Sequence, residues 1–170
     1  MKHRSEYRTA AEAAFADTFV EGAINVGAEF DPEARLQELR PLDLPDAVPD
    51  GAPKIIHISM YCYKSFPVRI FHVLSLKDGL DSHAVFFKNN FTNDHLPVSD
   101  TELALLQDLV RKINPAAITF SVLAPYVCAT KEAVKAIREV SDAVIVLGGK
   151  YPTIAPHEAL EFADYACKGD

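Results

Sequence analysis

The feature that most constrains the fold is a regular alternation of short apolar runs with helical stretches from about Lys54 onward. Runs such as AVIVL are apolar throughout, which is typical of strands buried on both faces of a parallel sheet. Strand–helix alternation with right-handed crossovers predicts an α/β fold, a flavodoxin-like (Rossmann-like), doubly wound sheet of five parallel strands. The runs are KIIHISM (54–60), HAVFFKN (83–89), AAITFSV (116–122), AVIVLGG (143–149) and DYACKG (164–169).

The segments between these runs carry recognisable helix signals. Ser99 and Glu102 have the spacing of a capping box in front of an apolar helical face. Thr130 is the expected cap of the helix TKEAVKAIREV, and Pro67 and Pro156 are expected to open two further helices. His57, inside the first apolar run, is expected to be a hydrogen-bonded core residue.

Residues 1–52 differ in composition and are predicted to be a helical extension followed by a linker. The alanine-rich stretch from Thr9 to Ala23 favours a helix, and Asp31 with Pro32 opens a second, short one through Leu39. The stretch RPLDLPDAVPDGAP then combines four prolines with a glycine, which removes backbone donors and weakens regular structure. The compact domain is predicted to span residues 53–170.

Charge and cysteine content narrow the partners and the compartment. The net charge of −7 and the lack of a basic stripe disfavour nucleic acid and anionic membranes as partners. No signal-peptide core and no membrane-length apolar run occur in the sequence. The three cysteines, Cys62, Cys128 and Cys167, are widely spaced and odd in number, which favours a reducing cytoplasm over a disulfide framework or a metal site.

Ligands of doubly wound folds bind beyond the carboxyl ends of the strands, so the segments there are the informative ones. The segment after the first strand, MYCYKSFP, has no glycine, which argues against a dinucleotide fingerprint, and no Walker loop is present. Its bulky residues also argue against the small, hydroxyl-rich phosphate loop of a flavin mononucleotide site. No strand ends in an aspartate, so a phospho-receiver is not favoured either.

The ends of the third and fourth strands carry a more specific pattern. The third strand closes with Ser121, Val122 and Leu123, and the fourth closes with Gly148 and Gly149. The pattern resembles the S-x-L and G-G pair of cobalamin-binding domains. The following segment GGKYPTIAPHEALEFADYACKGD is similar to the one found where such domains precede a radical S-adenosylmethionine barrel. The resemblance covers about residues 54–170.

The resemblance implies a corrinoid held at the carboxyl edge of the sheet, with Gly148 and Gly149 leaving room for its nucleotide tail. Ser121 would offer its hydroxyl to that tail, and Leu123 would pack on the corrin or the tail base. The chain lacks the D-x-H-x-x-G motif, so no histidine is expected to coordinate cobalt from below. The loop Tyr61–Tyr63 would instead shield the metal. The expected cofactor-binding residues are Tyr61, Cys62, Tyr63, Ser121, Val122, Leu123, Gly148, Gly149, Tyr151 and Pro152.

The same resemblance implies that catalysis belongs to a larger parent enzyme, for which a methyltransferase is one candidate. An iron–sulfur cluster and S-adenosylmethionine would bind in a carboxy-terminal barrel beyond Asp170, and this chain would supply no catalytic or metal-ligating residue.

Each of these residues also has a purely structural interpretation. The paired glycines suit a simple turn, Ser121 suits a cap, and Leu123 and the tyrosines suit packing. The alternative function is therefore a degenerate Rossmann-like interaction domain that packs on the barrel without binding cobalamin; an independent electron carrier is a third reading.

Overall fold

The computed structural model describes residues 47–88 and 97–169. Its strands form one fully parallel sheet in the order β2-β1-β3-β4-β5, which is the strand order of flavodoxin-like folds. The predicted α/β, doubly wound, five-stranded architecture is therefore confirmed. The strands are β1 (Lys54–Met60), β2 (Asp81–Phe87), β3 (Ala117–Ser121), β4 (Val144–Gly148) and β5 (Tyr165–Ala166).

Helices cover the two faces of this sheet unequally. On one face, α1 packs over β1 and β2. On the other, α2 and α3 pack on each other and on the larger part of the core. The helices are α1 (Phe66–Lys77), α2 (Asp100–Ile113), α3 (Val127–Arg138), α4 (Lys150–Ile154) and α5 (Pro156–Ala159).

Alternation along the strands divides the apolar side chains between these faces. Successive side chains of a strand point to opposite sides of the sheet, so β1 directs Ile56 and Ile58 towards α2 and α3, and Ile55 towards the α1 face. The α2/α3 face holds the large buried residues, including Phe120 and Leu147, and its burial supplies most of the hydrophobic stabilisation. The α1 face is built from smaller side chains.

The predicted capping box is confirmed, whereas α3 begins earlier than predicted. The Ser99 side chain accepts from the Glu102 N–H, and the Glu102 carboxylate accepts from the Ser99 N–H at 2.8 Å. Helix α3 follows a 3₁₀ turn at Ala124–Tyr126 and starts at Val127, so Thr130 is not its cap. Thr130 is fully buried instead, and its hydroxyl donates to the Tyr126 carbonyl at 2.8 Å.

Two strands also differ from their predicted limits. Strand β2 begins at Asp81, two residues earlier than predicted, because it pairs along the whole of β1. Strand β5 pairs only through Tyr165 and Ala166, a shorter run than the predicted 164–169. Pro67 lies in the first turn of α1 and Pro156 opens α5, both as predicted.

The amino-terminal predictions fall almost wholly outside the described residues. These include the helices at 9–23 and 31–39 and most of the proline-rich linker. The described end of the linker makes a turn in which the Ala52 N–H donates to the Pro49 carbonyl at 3.1 Å. Across the described part of the chain, every helix is too short or too polar to cross a membrane.

Candidate functional site at the carboxyl edge

Three small residues line up across the carboxyl ends of the central strands. Ser59 of β1 pairs in register with Ser121 of β3, and Ser121 pairs with Gly148 of β4. Strand alternation places all three on the α1 face, because their neighbours Ile58, Phe120 and Leu147 belong to the opposite core. We call Ser59, Ser121 and Gly148 the small-residue row.

Cys167 extends this row beyond β5. Its N–H donates to the Leu147 carbonyl at 2.8 Å, which continues the parallel pairing and puts Cys167 beside Gly148. Burial raises the pKa of the Cys167 thiol above its ordinary value, so the group is a neutral thiol at physiological pH. The row and Cys167 therefore combine a buried hydroxyl at Ser59, a half-buried hydroxyl at Ser121, a thiol and a bare glycine backbone.

The two adjacent glycines play different structural roles. A β-carbon on Gly148 would meet no nearer described atom than the Phe120 carbonyl oxygen at 3.9 Å, so the position has room for a side chain but lacks one. Gly149 has a φ of +99°, and a β-carbon there would lie 2.9 Å from the Val122 carbonyl oxygen. Gly149 is thus required by the turn itself, whereas Gly148 is not.

The turn after β4 is tied to the end of β3 by backbone hydrogen bonds. The Val122 N–H donates to the Gly148 carbonyl at 2.8 Å, and the Tyr151 N–H donates to the Val122 carbonyl at 3.1 Å. Val122 and Tyr151 are buried, as is Pro152, while Leu123 remains exposed. Of the ten predicted residues, the structure brings seven together here: Ser121, Val122, Leu123, Gly148, Gly149, Tyr151 and Pro152.

Tyr61 faces the α2/α3 core, on the other side of β1 from the small-residue row. Its ring stacks on Tyr126 with 5.0 Å between centroids, and burial raises the pKa of its hydroxyl. Its backbone has a φ of +57°, which is unusual for a bulky side chain, and its N–H donates to the Phe87 carbonyl at 3.1 Å. Tyr61 thus contributes its ring to packing and its strained backbone to the turn that follows β1.

The remaining predicted residues, Cys62 and Tyr63, form the exposed part of the first loop. The Ser65 N–H donates to the Cys62 carbonyl at 3.2 Å, and an Arg69 guanidinium nitrogen donates to the Tyr63 carbonyl at 3.0 Å. The Tyr63 residue is 43% exposed, and the Lys64 ammonium lies 5.5 Å from the centroid of its ring. Because β1 neighbours β3 in the sheet, this loop borders the small-residue row.

A buried polar cluster lies one register step below the row. His57 is buried and its ring is hydrogen-bonded to Thr119 at 2.8 Å and to Ser75 of α1 at 3.0 Å, which confirms the expectation of a hydrogen-bonded core histidine. Burial, reinforced by the nearby His72, lowers the pKa of His57 to about 4. The ring is therefore neutral at pH 7, so the cluster below the small-residue row is polar but uncharged.

Sequence reasoning missed the partners of His57 and one further polar contact. Asp164, the first residue of the D-Y segment, accepts from the Ile145 N–H at 2.8 Å and pairs with Arg138 of α3. Arg138 also donates to the Ala143 carbonyl at 2.8 Å. The signal was present in the sequence as an aspartate opening a strand, but its partners are fixed only by the packing of α3 against β4.

An open groove of about 360 Å³ lies along α3 and involves none of the ten predicted residues. Lys131, Lys135 and Arg138 face Glu161 and Asp164 across it. Because both positive and negative side chains line the groove, it favours neither an anionic nor a cationic ligand.

Over residues 47–88 and 97–169, no group of three or more metal-ligating side chains is assembled.

Comparison with protein-family models and with curated proteins finds no match.

Proposed function

We propose that residues 53–170 form a cobalamin-binding module of a radical S-adenosylmethionine enzyme, with methyl transfer as a candidate reaction of that enzyme. The observation that carries the proposal is the pairing of Ser121 with Gly148 at the carboxyl edge of a flavodoxin-like sheet. The S-x-L and G-G elements are distant in sequence, and the fold makes them neighbours at the edge where such folds bind ligands.

The small-residue row would hold the nucleotide tail of the corrinoid. The missing β-carbon at Gly148 leaves space that any other residue would fill, and the Ser121 hydroxyl can donate to or accept from the tail. The exposed Leu123 side chain would lie against the corrin or the tail base. These features fit the hydroxyl and amide groups of such a tail, entering between the sheet edge and α1.

The first loop would cover the lower face of the corrin without a histidine. Tyr63 and Cys62 border the row, whereas the Tyr61 ring is committed to its stack on Tyr126. Bound cobalamin supplies a cobalt centre that accepts and donates carbon groups. In this arrangement the chain binds and orients the cofactor, and the iron–sulfur cluster and S-adenosylmethionine belong to a carboxy-terminal barrel of the parent enzyme.

The proposed compartment is the reducing cytoplasm. Cys62, Cys128 and Cys167 are all free thiols in the described fold, which agrees with a location where disulfides do not persist.

Uptake of hydroxocobalamin by the full chain tests the binding proposal. The protein is mixed with excess cofactor and desalted, and the corrin absorbance that stays with it is measured. Gly148 has no positive φ, and a β-carbon there meets no described atom closer than 3.9 Å, so we expect Gly148→Val to fold, as circular dichroism checks, and to lose most of the uptake. Ala104→Val, an exposed position on α2, is the control and should retain it. Absence of uptake by the folded wild-type chain contradicts the proposal.

A second candidate is an interaction domain that packs on the catalytic barrel without binding cobalamin. It is favoured by Gly149 and Tyr61, whose conformations are both accounted for by contacts within the chain. This function predicts cooperative unfolding at the same denaturant concentration with and without hydroxocobalamin. It also predicts docking of the chain to a separately supplied barrel, whereas a binding module should gain stability from the cofactor.

A further inference from the structure

Helix α1 carries large apolar side chains on its outer side as well as on the side facing the sheet. Val68 and Ser75 face inward and are buried, while Phe66, Ile70 and Leu74 are 70%, 39% and 43% exposed. Phe66, Ile70 and Leu74 are spaced by four, so they form one continuous stripe along the helix, and Phe71, 49% exposed, lies beside it. We call Phe66, Ile70 and Leu74 the outer stripe.

A helix that is apolar all round is normally covered on all sides. Helices α2 and α3 do not share this feature, since each has one buried apolar face and a polar outer face. Leu105 is exposed on α2, but it is flanked by polar residues of that helix. The outer stripe is therefore a property of α1 that points to a covering element.

The described chain begins close to this helix. Pro49 lies against Gly79, two residues after the last residue of α1, with 3.8 Å between the Pro49 Cγ and the position of a Gly79 β-carbon. The described chain therefore begins beside the carboxyl end of α1. A segment leaving from that point can return along the outer side of the helix without crossing the sheet.

The sequence of residues 9–23 matches the outer stripe in pattern and in charge. Ala11, Phe15, Phe19 and Ala23 are also spaced by four, so a helix over this segment would carry an apolar stripe about 18 Å long, the length of α1. The charged residues of this segment are all acidic: Glu12, Asp17 and Glu21. Helix α1 contains Arg69 and Lys77 and no acidic residue.

We propose that residues 9–23 form a helix that packs on the outer stripe of α1 within the same chain. Phe15 and Phe19 cover Phe66, Ile70 and Leu74, and the acidic residues of the segment face the basic residues of α1. The covering contact is intramolecular, so it does not depend on protein concentration or on cobalamin. It completes the face of the domain that α1 alone leaves apolar.

A single tryptophan reports on this contact, because the chain has none of its own. Phe66→Trp places an indole in the outer stripe of the full chain, and Leu105→Trp places a reference indole on the exposed side of α2. Acrylamide quenching should be several-fold weaker for Phe66→Trp than for Leu105→Trp. Adding Phe15→Glu with Phe19→Glu should raise the quenching at position 66 to the reference level. Phe30→Glu, an apolar-to-acidic change outside residues 9–23, should leave it unchanged.

The other outcomes overturn the proposal. Strong quenching of Phe66→Trp in the folded full chain means that nothing covers the stripe. Weak quenching that survives the Phe15→Glu and Phe19→Glu changes means that another element covers it. Protection that disappears on dilution, with a dimer seen by sedimentation, assigns the stripe to a second copy of the chain. Leu74→Trp repeats the measurement should Phe66→Trp fail to fold.

Discussion

Gly149 approaches Val122 so closely that a β-carbon on the glycine would lie 2.9 Å from the Val122 carbonyl oxygen and 3.1 Å from its nitrogen. Both Val122 atoms are already committed to hydrogen bonds with the turn after β4. The ends of β3 and β4 are therefore locked together by backbone alone, and the shape of the candidate site depends on that lock.

Gly149→Ala should destabilise the protein by about 2–4 kcal/mol, because it adds a backbone clash to an unfavourable positive φ. Gly148→Ala is the matched control, since its β-carbon meets nothing closer than 3.9 Å, and should change stability by less than about 1 kcal/mol. Urea unfolding of both variants measures the difference. Equal effects would mean that the glycines are interchangeable and that the assigned turn geometry is wrong.

Stability should fall as the pH drops from about 6.5 to about 4, the interval between the ordinary and the folded pKa of His57. In this window His57 is protonated in the unfolded chain but stays neutral in the folded protein. The free energy of unfolding should therefore fall by up to about 2 kcal/mol between pH 7 and pH 5. His72, whose pKa is also lowered by burial, acts in the same direction.

His57→Gln removes the titrating ring, so the variant should show a shallower dependence of its urea midpoint on pH over the same interval. His157→Gln changes a histidine for which no such burial applies and serves as the control. A wild-type slope that is unchanged in His57→Gln would show that another group carries the pH dependence.

Arg138 and Asp164 should show energetic coupling, because together they tie α3 to the start of β4 and β5. Asp164→Ala also leaves the Ile145 N–H without its acceptor and should cost about 2 kcal/mol. Asp164→Asn keeps an oxygen for that N–H and should cost less. A double-mutant cycle with Arg138→Ala should give a coupling energy of about 1 kcal/mol, moderated by partial exposure to solvent. If the two substitutions have additive effects on the free energy of unfolding, the ion pair between Arg138 and Asp164 does not stabilise the protein.

Ser99→Ala should destabilise the protein by about 1 kcal/mol, since it removes the side-chain acceptor that caps the first turn of α2. Thr101→Ala, an exposed change in the same turn, should be close to neutral. Thermal unfolding followed by circular dichroism distinguishes them. If both variants unfold at the wild-type temperature, the capping box does not stabilise the folded protein.

The fold was predictable because the apolar runs are continuous and the helices between them are well marked. The strand order then placed Ser121 beside Gly148, which no local pattern contains. Thr130 shows the limit of local rules. Threonine is a common N-cap residue, but the 3₁₀ turn at Ala124–Tyr126 leads into a helix that starts at Val127, about one turn before Thr130. Thr130 is therefore buried inside the helix and donates its hydroxyl hydrogen bond to the Tyr126 carbonyl.

The candidate site was predictable in position and less so in detail. The sequence does not distinguish the role of Gly148 from that of Gly149, because the positive φ of Gly149 arises from the path of the chain after β4. Tyrosine carries no local preference for a left-handed backbone, so the inward direction of Tyr61 depends on its stack with Tyr126. The His57 partners likewise depend on strand register and on the packing of α1.

The all-parallel sheet also has a consequence for the order in which the protein can assemble. No two neighbouring strands can be joined as a hairpin, and His57 must pair with Thr119, which lies 62 positions further along the chain. During synthesis, the edge of β1 that pairs with β3 remains without its partner strand until β3 has left the ribosome. We therefore expect slow, loop-closure-limited folding, with the KIIHISM strand as the segment that a chaperone would hold in the meantime.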